Sequence, residues 1–256
     1  MLVKLCRGLY YSKKDYKVGM TVCKRKTYEI TKRLIDIIFS LVMIIVTAPA
    51  ILITSIAIRV IDGGPVLYKA NRVGKGFEEF VMLKFRTMKI NNEKTKHITL
   101  KNDARIYPLG RFLRKTKIDE LPQLYNVLTG RMSVVGPRPE DVSIAKKIYV
   151  GKYKGICDVK PGLTSPASLF DYTHGENYES HEKYIKEFLP KKLDIELYYV
   201  ENKNICYDIK ITLRTALIIV QIMFGKNEFR YPKEYDAVRE LRVRDKDGKQ
   251  YFNTGI

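Results

Sequence analysis

The sequence predicts a mainly helical α+β fold with a small β-hairpin, held to a membrane by an N-terminal helix-break-helix. Three observations lead there. From Ile37 to Ile58 the chain reads IIFSLVMIIVTAPAILITSIAI, 22 residues without a formal charge, long enough for a helix to span the hydrocarbon of a bilayer. Two β-prone stretches, 66–70 and 80–87, flank a loop containing Gly74-Lys75-Gly76, as a hairpin requires. Farther on, Leu121, Leu124 and Leu128 recur at helical spacing, with Pro122 where a first turn tolerates it and Gly130 as a stop. With 256 residues, 45% of them apolar, the chain can bury a real core, which excludes a wholly disordered protein.

Taken in order, the pattern divides into a basic extension (1–30), a membrane segment (31–61), a cytosolic domain (62–224) and a charged tail (225–256). The first 27 residues hold eight Lys or Arg against Asp15 alone. Beside a membrane each such cation attracts anionic lipid by on the order of 1 kcal/mol. Both flanks of the apolar run are basic, with Lys32 and Arg33 before it and Arg59 and Lys69 after it, so little charge asymmetry drives translocation. Pro49 removes a backbone donor just past the middle of the run. Residues 37–48 alone would rise roughly 18 Å, about half the hydrocarbon thickness. The run therefore suits a hairpin that enters and leaves by one face, and a kinked spanning helix is the alternative.

The hairpin follows the Asp62-Gly63-Gly64-Pro65 turn. In its second strand, period two sets Phe80, Met82, Lys84 and Arg86 on one face and Val81, Leu83 and Phe85 on the other, so two cations lie beside an apolar core face. The leucine-patterned helix should begin near Asp119. Asp119 and Glu120 would then occupy its first turn, where free N–H groups and the dipole keep a carboxylate ionised. Such an Asp can be a nucleophile or a metal ligand, although plain helix capping places acids there too. Arg105, Arg111, Arg114, Lys115 and Lys117 precede the pair, and Gly136-Pro137-Arg138-Pro139 follows as a rigid loop with one guanidinium. Carboxylates able to hold Mg²⁺ among several arginines meet the needs of phosphoryl transfer, where oxygen charge must be neutralised.

The formal net charge is +19, which favours nucleic acid, acidic lipid or phosphorylated metabolites as partners. No recognition helix, zinc spacing or stacking-aromatic signature supports nucleic acid. Cys6, Cys23, Cys157 and Cys206 form no CxxC pair, which argues against a zinc site or a disulfide framework and for a reducing compartment. His174 and His181 read as surface residues. The stretch 208–224 has an apolar part too short to span and reads as an interfacial helix, with Lys210 and Arg214 near headgroups. The tail carries no recognisable motif.

At KRLID, GPVLYKANRVG, KFRTM, LGRFLRKTKIDELPQLYNVLTGRMSVVGPRP and VKPGLT, roughly over residues 30–220, the sequence resembles the bacterial sugar transferase family, the monotopic polyprenyl-phosphate phosphoglycosyl transferases. The resemblance implies transfer of a phosphosugar from a UDP-sugar to polyprenyl (undecaprenyl) phosphate, with UMP released, as the first membrane step of a capsule, exopolysaccharide or lipopolysaccharide. It implies Asp119 as the nucleophile of a covalent phosphosugar-aspartyl intermediate and Glu120 as its partner in positioning or in Mg²⁺ binding. It implies Lys84, Arg114 and Arg138 as phosphate contacts, to which Arg86 is added from the shared strand face. It also implies a re-entrant segment broken at Pro49, in a bacterial inner membrane with the catalytic domain facing the cytoplasm. Membrane lipids are partners, nucleic acid is not, and a homodimer is left open. The rival readings are a membrane-tethered nucleic-acid-binding protein and an inactive scaffolding relative. Three departures stand out: Ala48 where a Ser commonly precedes the proline, LTSPASLFDY where many members continue ITGWAQVNGR, and Glu196 where many carry Asp.

Overall fold

One helix, α1 (Val22–Asp62), carries the whole apolar run and passes through Pro49. The expected break at Pro49 is therefore absent as a gap in the helix. A proline deletes one N–H and crowds one turn, which a helix anchored at both ends can absorb as a bend. The computed structural model describes residues 22–89, 105–175, 183–226 and 228–239. The basic extension before residue 22, most of the polar loop at 89–101, His181 and the tail beyond 239 lie outside them.

Both ends of α1 dock on one folded body, by different means. Toward the N-terminus the docking face is Tyr28, Lys32, Asp36 and Ser40, a strict i, i+4 stripe. Lys32 pairs with Asp208 at 2.7 Å. Arg33 donates from both terminal nitrogens to the carbonyls of Val127 and Leu128, each at 2.7 Å. The buried Asp36 carboxylate accepts from the Ser133 hydroxyl (3.1 Å) and the Val134 N–H (2.9 Å). Toward the C-terminus, Ile58 is fully buried against Phe85 and Leu113, with Ile51 alongside, and Asp62 pairs with Arg86 at 2.5 Å. Between the two docked faces, none of residues 41–50 is buried. Leu41, Val42, Ile45 and Val46 project outward.

The hairpin forms as expected: β1 (Leu67–Val73) pairs antiparallel with β2 (Glu79–Phe85), Leu67 opposite Phe85 and Val73 opposite Glu79. Its core face, however, is the one that carries the cation. Phe80 and Met82 are buried whereas Val81 is exposed, so Lys84 points inward beneath the hairpin. Next come α2 (Pro108–Lys115), a 3-10 turn (Ile118–Glu120) and α3 (Gln123–Leu128). Asn126 stitches α3 to β2, accepting from the Leu83 N–H (2.9 Å) and donating to the Val81 carbonyl (2.8 Å).

A second, parallel sheet that the sequence did not announce joins β3 (Ser133–Val135) to β4 (Gly162–Thr164). Its strands are three residues each, too short for a period-two signal. Glycine makes the pairing feasible: a Cβ on Gly162 would lie 2.1 Å from the Gly136 nitrogen, and one on Gly136 would lie 2.4 Å from the Lys160 carbonyl oxygen. This contact fixes the start of the Pro137-Arg138-Pro139 loop. The remaining elements are α4 (Val142–Ile148), a 3-10 segment (Gly151–Asp158), α5 (Pro166–His174), α6 (Leu189–Asn202) and α7 (Ile205–Met223).

The helix α7 exposes Ile209, Leu213, Leu217 and Val220 along one face, the stripe an interfacial helix needs. Arg214 pairs at 2.7 Å with Glu234, a buried residue of the tail, whose Val238 also enters the core. The first part of the tail is thus a docked element. His174 is not a bare surface residue either, since its ring stacks on Tyr231 at 4.3 Å.

The Asp36 contacts generate a stability prediction. Asp36→Ala leaves the Ser133 hydroxyl and the Val134 N–H buried without a partner, a loss of roughly 3 kcal/mol. The thermal midpoint of the detergent-solubilised protein should fall by several degrees, and by less in Asp36→Asn, which keeps an acceptor. An unchanged midpoint in Asp36→Ala would show that the contact does not hold α1 in place.

Candidate active site

Asp119 and Glu120 sit in the 3-10 turn, one step ahead of α3. The helix starts later than the leucine spacing suggested because Pro122 has no N–H with which to close a bond back to Ile118. The turn is closed by i+3 bonds instead, Glu120 N–H to the Lys117 carbonyl and Leu121 N–H to the Ile118 carbonyl. It is entered through Lys117, a non-glycine residue in the left-handed region at φ 58°. Such a conformation is uncommon outside glycine and is held by its surroundings.

Glu120 is the hub. Its Oε1 accepts from Lys84 Nζ (3.1 Å) and from Arg138 Nη2 (3.0 Å). Its Oε2 accepts from the Tyr172 hydroxyl (3.1 Å), which in turn accepts from Arg138 Nη1 (3.0 Å). The guanidinium fork is therefore satisfied by one direct bond and one bond through the tyrosine. Burial by itself would raise the Glu120 pKa, but the charges of Lys84, Arg138 and Lys117 overcome it and hold the carboxyl well below its usual range. Glu120 is a fixed anion. On Arg138, burial is likewise outweighed, by Tyr172 and Glu120, and the guanidinium stays charged.

Asp119 is the contrast. It is 7% exposed, and its Oδ1 is shut off from solvent with no hydrogen-bond donor. Burial and then the neighbouring Glu120 raise its carboxyl above the ordinary range, against the pull of Lys84, Lys117 and Arg114. The three cations stand where the sequence placed helix-dipole support, and unlike Glu120 the carboxyl is not held low. Arg114 reaches the site from α2, where its Nε donates to the Thr87 hydroxyl at 2.9 Å. Gly110 permits this approach: a Cβ there would stand 2.2 Å from the Thr87 carbonyl oxygen.

Among the described residues no group of three or more His, Cys, Asp or Glu could hold a metal ion. A cation could still be held by Asp119, whose Oδ1 lacks a partner, provided other ligands come from outside the protein. Mg²⁺ suits that arrangement, since it commonly binds one or two carboxylates and completes its shell with substrate phosphate and water. Glu120 fits the role less well, because its two oxygens already accept three donors.

The model of the bacterial sugar transferase family matches residues 27–222. The chain belongs to that family. A Klebsiella pneumoniae protein named UDP-glucose:undecaprenyl-phosphate glucose-1-phosphate transferase is 37% identical over 193 residues, covering 72% of this chain and 39% of that protein. An Aeromonas hydrophila protein named UDP-N-acetylgalactosamine-undecaprenyl-phosphate N-acetylgalactosaminephosphotransferase is 33% identical over 198 residues, covering 75% of this chain and 44% of that one. An uncharacterized sugar transferase of Bacillus subtilis is 36% identical and matches 74% of this chain and 88% of its own length. The chain thus spans less than half of the two relatives that carry a reaction name.

In this chain the fold brings together Asp119, Glu120, Lys84, Arg114 and Arg138. Arg86 goes elsewhere. It is 5% exposed and bonded to Asp62, and a Cβ on Gly64 would lie 2.1 Å from its Nη1. It fastens the exit of α1 to β2 rather than facing the dyad, because the strand ends at Phe85 and strict alternation ends with it. Arg111 and Lys115 lie on the exposed side of α2. Tyr172 was not foreseen: it comes from LTSPASLFDY, the segment without a motif match, and a tyrosine there carries no pattern of its own.

Glu196 braces the site from behind. From α6 it accepts the Arg138 N–H (2.9 Å) and the Ser165 hydroxyl (3.0 Å), while Oε2 has no partner. Burial drives its pKa up from the ordinary 4.5 to about 7, against the bonds from Arg138 and Ser165 and the charge of Lys192. Because the folded state binds this proton more tightly than the unfolded state, the stabilisation is complete below 4.5 and lost as pH rises to about 7. The difference amounts to roughly 3 kcal/mol. The unfolding midpoint of the wild type should accordingly decline between pH 5 and pH 8, and Glu196→Gln should flatten that part of the decline. Parallel profiles for the two proteins would contradict the assignment.

Proposed function

We propose that the protein is a phosphoglycosyl transferase that moves a sugar 1-phosphate from a UDP-sugar to polyprenyl phosphate. The observation that carries this reading is the division of labour within the dyad, with Glu120 bonded to three donors and Asp119 left with a buried oxygen that has none. The names of the relatives point the same way and differ in the sugar, glucose in one and N-acetylgalactosamine in another.

In the first step an Asp119 oxygen attacks the phosphorus that bears the sugar. The bond from that phosphorus to the bridging oxygen breaks, and UMP leaves with the bridging oxygen. An acyl phosphate joins Asp119 to the phosphosugar. In the second step an oxygen of polyprenyl phosphate attacks the same phosphorus and restores the carboxylate, leaving a polyprenyl diphosphate sugar. Lys84, Arg114 and Arg138 offset the charge that develops on the phosphoryl oxygens. Glu120 keeps Lys84 and Arg138 in place. Mg²⁺, held by Asp119, would supply further neutralisation of the diphosphate.

The membrane arrangement that fits is a re-entrant one. The packing of residues 28–40 and 51–58 on one folded body supports a reading with both ends of the helix at the same face of a bilayer. The uncovered apolar side chains of residues 41–50 and of α7 then enter the same leaflet, and the polyprenyl chain lies within it while its phosphate reaches Asp119. The nucleic-acid reading has no comparable support, since the cations near the dyad face carboxylates in a closed site.

A panel of UDP-sugars with undecaprenyl phosphate in detergent provides the test. At least one sugar should give UMP release that needs lipid phosphate for turnover and stops with EDTA. Asp119→Asn should lower turnover by about a thousandfold or more. Full turnover in that variant would remove Asp119 from the role of nucleophile. For topology, single cysteines replacing Glu29 or Arg59, in a chain whose native cysteines are changed to serine, should both react with an impermeant maleimide from the cytoplasmic side only. Labelling from opposite sides would mean a spanning helix.

A further inference from the structure

Lys117 enters the catalytic turn and adds its charge to the site, but no ligand has been assigned to it, although it stands two residues from Asp119. Its Nζ lies 3.5 Å from the centre of the Tyr172 ring, over the ring face. Among the described residues it forms no ion pair with a carboxylate. The nearest acid that could serve, Glu120, already accepts from Lys84, Arg138 and Tyr172. Its backbone is held at φ 58°, a conformation in which lysine has no intrinsic advantage. An ammonium half-withdrawn from water and resting on an aromatic face is poorly compensated until an anion arrives.

Tyr172 ends the LTSPASLFDY stretch and lies in α5. Its hydroxyl and its ring do separate things: the hydroxyl bridges Arg138 to Glu120, and the ring carries Lys117.

We propose that Lys117 is a further substrate-binding cation, contacting a phosphoryl oxygen of the donor's diphosphate, and that the ring of Tyr172 is the positioning element that holds it there. The proposal rests on the phosphoglycosyl transferase reading given above and adds to it a residue and a ligand atom class.

The two roles of Tyr172 make the test separable. UDP is titrated by calorimetry into the full-length protein in detergent, without lipid phosphate. Lys117→Met should weaken UDP binding by about tenfold, the size expected of one charged contact, while leaving uridine binding unchanged. Lys117→Arg should recover most of the loss. In a Tyr172→Phe background, which keeps the ring, the Lys117→Met effect should persist at about tenfold; in Tyr172→Leu it should shrink below about twofold. Three outcomes would overturn the proposal: UDP affinity unchanged in Lys117→Met, equal losses in Lys117→Arg and Lys117→Met, or a Lys117→Met effect of the same size in both Tyr172 backgrounds. A wild-type protein that binds no UDP and releases no UMP from any UDP-sugar would instead overturn the functional reading itself.

Discussion

The site depends on one buried anion. Glu120 collects a lysine from β2, an arginine from the Gly136–Pro139 loop and a tyrosine from α5, three segments distant in sequence. Remove its charge and the half-buried Lys84 and Arg138 lose the carboxylate to which both are bonded, a more costly arrangement than the original network. The same convergence explains why Asp119 differs from its neighbour. The available donors are taken, so the second carboxylate keeps an unshared oxygen at a point surrounded by positive charge. A pair that looks symmetrical in sequence is divided by its environment into a carboxylate bonded to three donors and one with an oxygen that has none.

Around that centre the supporting contacts are backbone-level and narrow. Gly110, Gly136 and Gly162 each stand where a single extra carbon would collide with main chain, which brings α2 to Thr87 and sets the arginine loop against β4. Glu196 then holds the Arg138 N–H from the far side. The membrane element is tied to the same scaffold. Arg33 occupies the last carbonyls of α3 while Ile58 packs beside Leu113, so the turn that carries Asp119 and the long apolar helix share one frame. The proposed reaction, between a water-soluble nucleotide and a phosphate on a lipid, needs such a fixed height above the bilayer. The +19 of net charge is spread accordingly, over the approach to the membrane and over the ground around Asp119.

Much of this was legible beforehand, for identifiable reasons. The hairpin was readable from turn residues between β-prone runs, and the membrane segment from 22 residues without charge. The dyad and Arg138 were readable because adjacent acids and a rigid Pro-Arg-Pro loop are local patterns. What escaped was non-local. Tyr172 becomes functional only through the path of α5, and Lys117 only through the turn that lifts it onto that ring. Arg86 was misassigned because strand alternation was extended one residue past the strand. The parallel pairing of β3 and β4 has no periodicity to detect in three-residue strands, although its glycines were in plain view. The docked part of the tail rests on Glu234 and Val238, two ordinary residues whose burial no composition reveals.

The central claim is that Asp119 bonds covalently to the transferred group while Glu120 does not. Intact-mass analysis of the full-length protein, given its UDP-sugar and no lipid phosphate, measures this directly. The account predicts a mass increase equal to one phosphosugar, located on the peptide that contains Asp119, accompanied by an equivalent amount of UMP and discharged on addition of undecaprenyl phosphate. Lipid-dependent turnover with no such adduct, or an adduct that persists in Asp119→Asn, would contradict it.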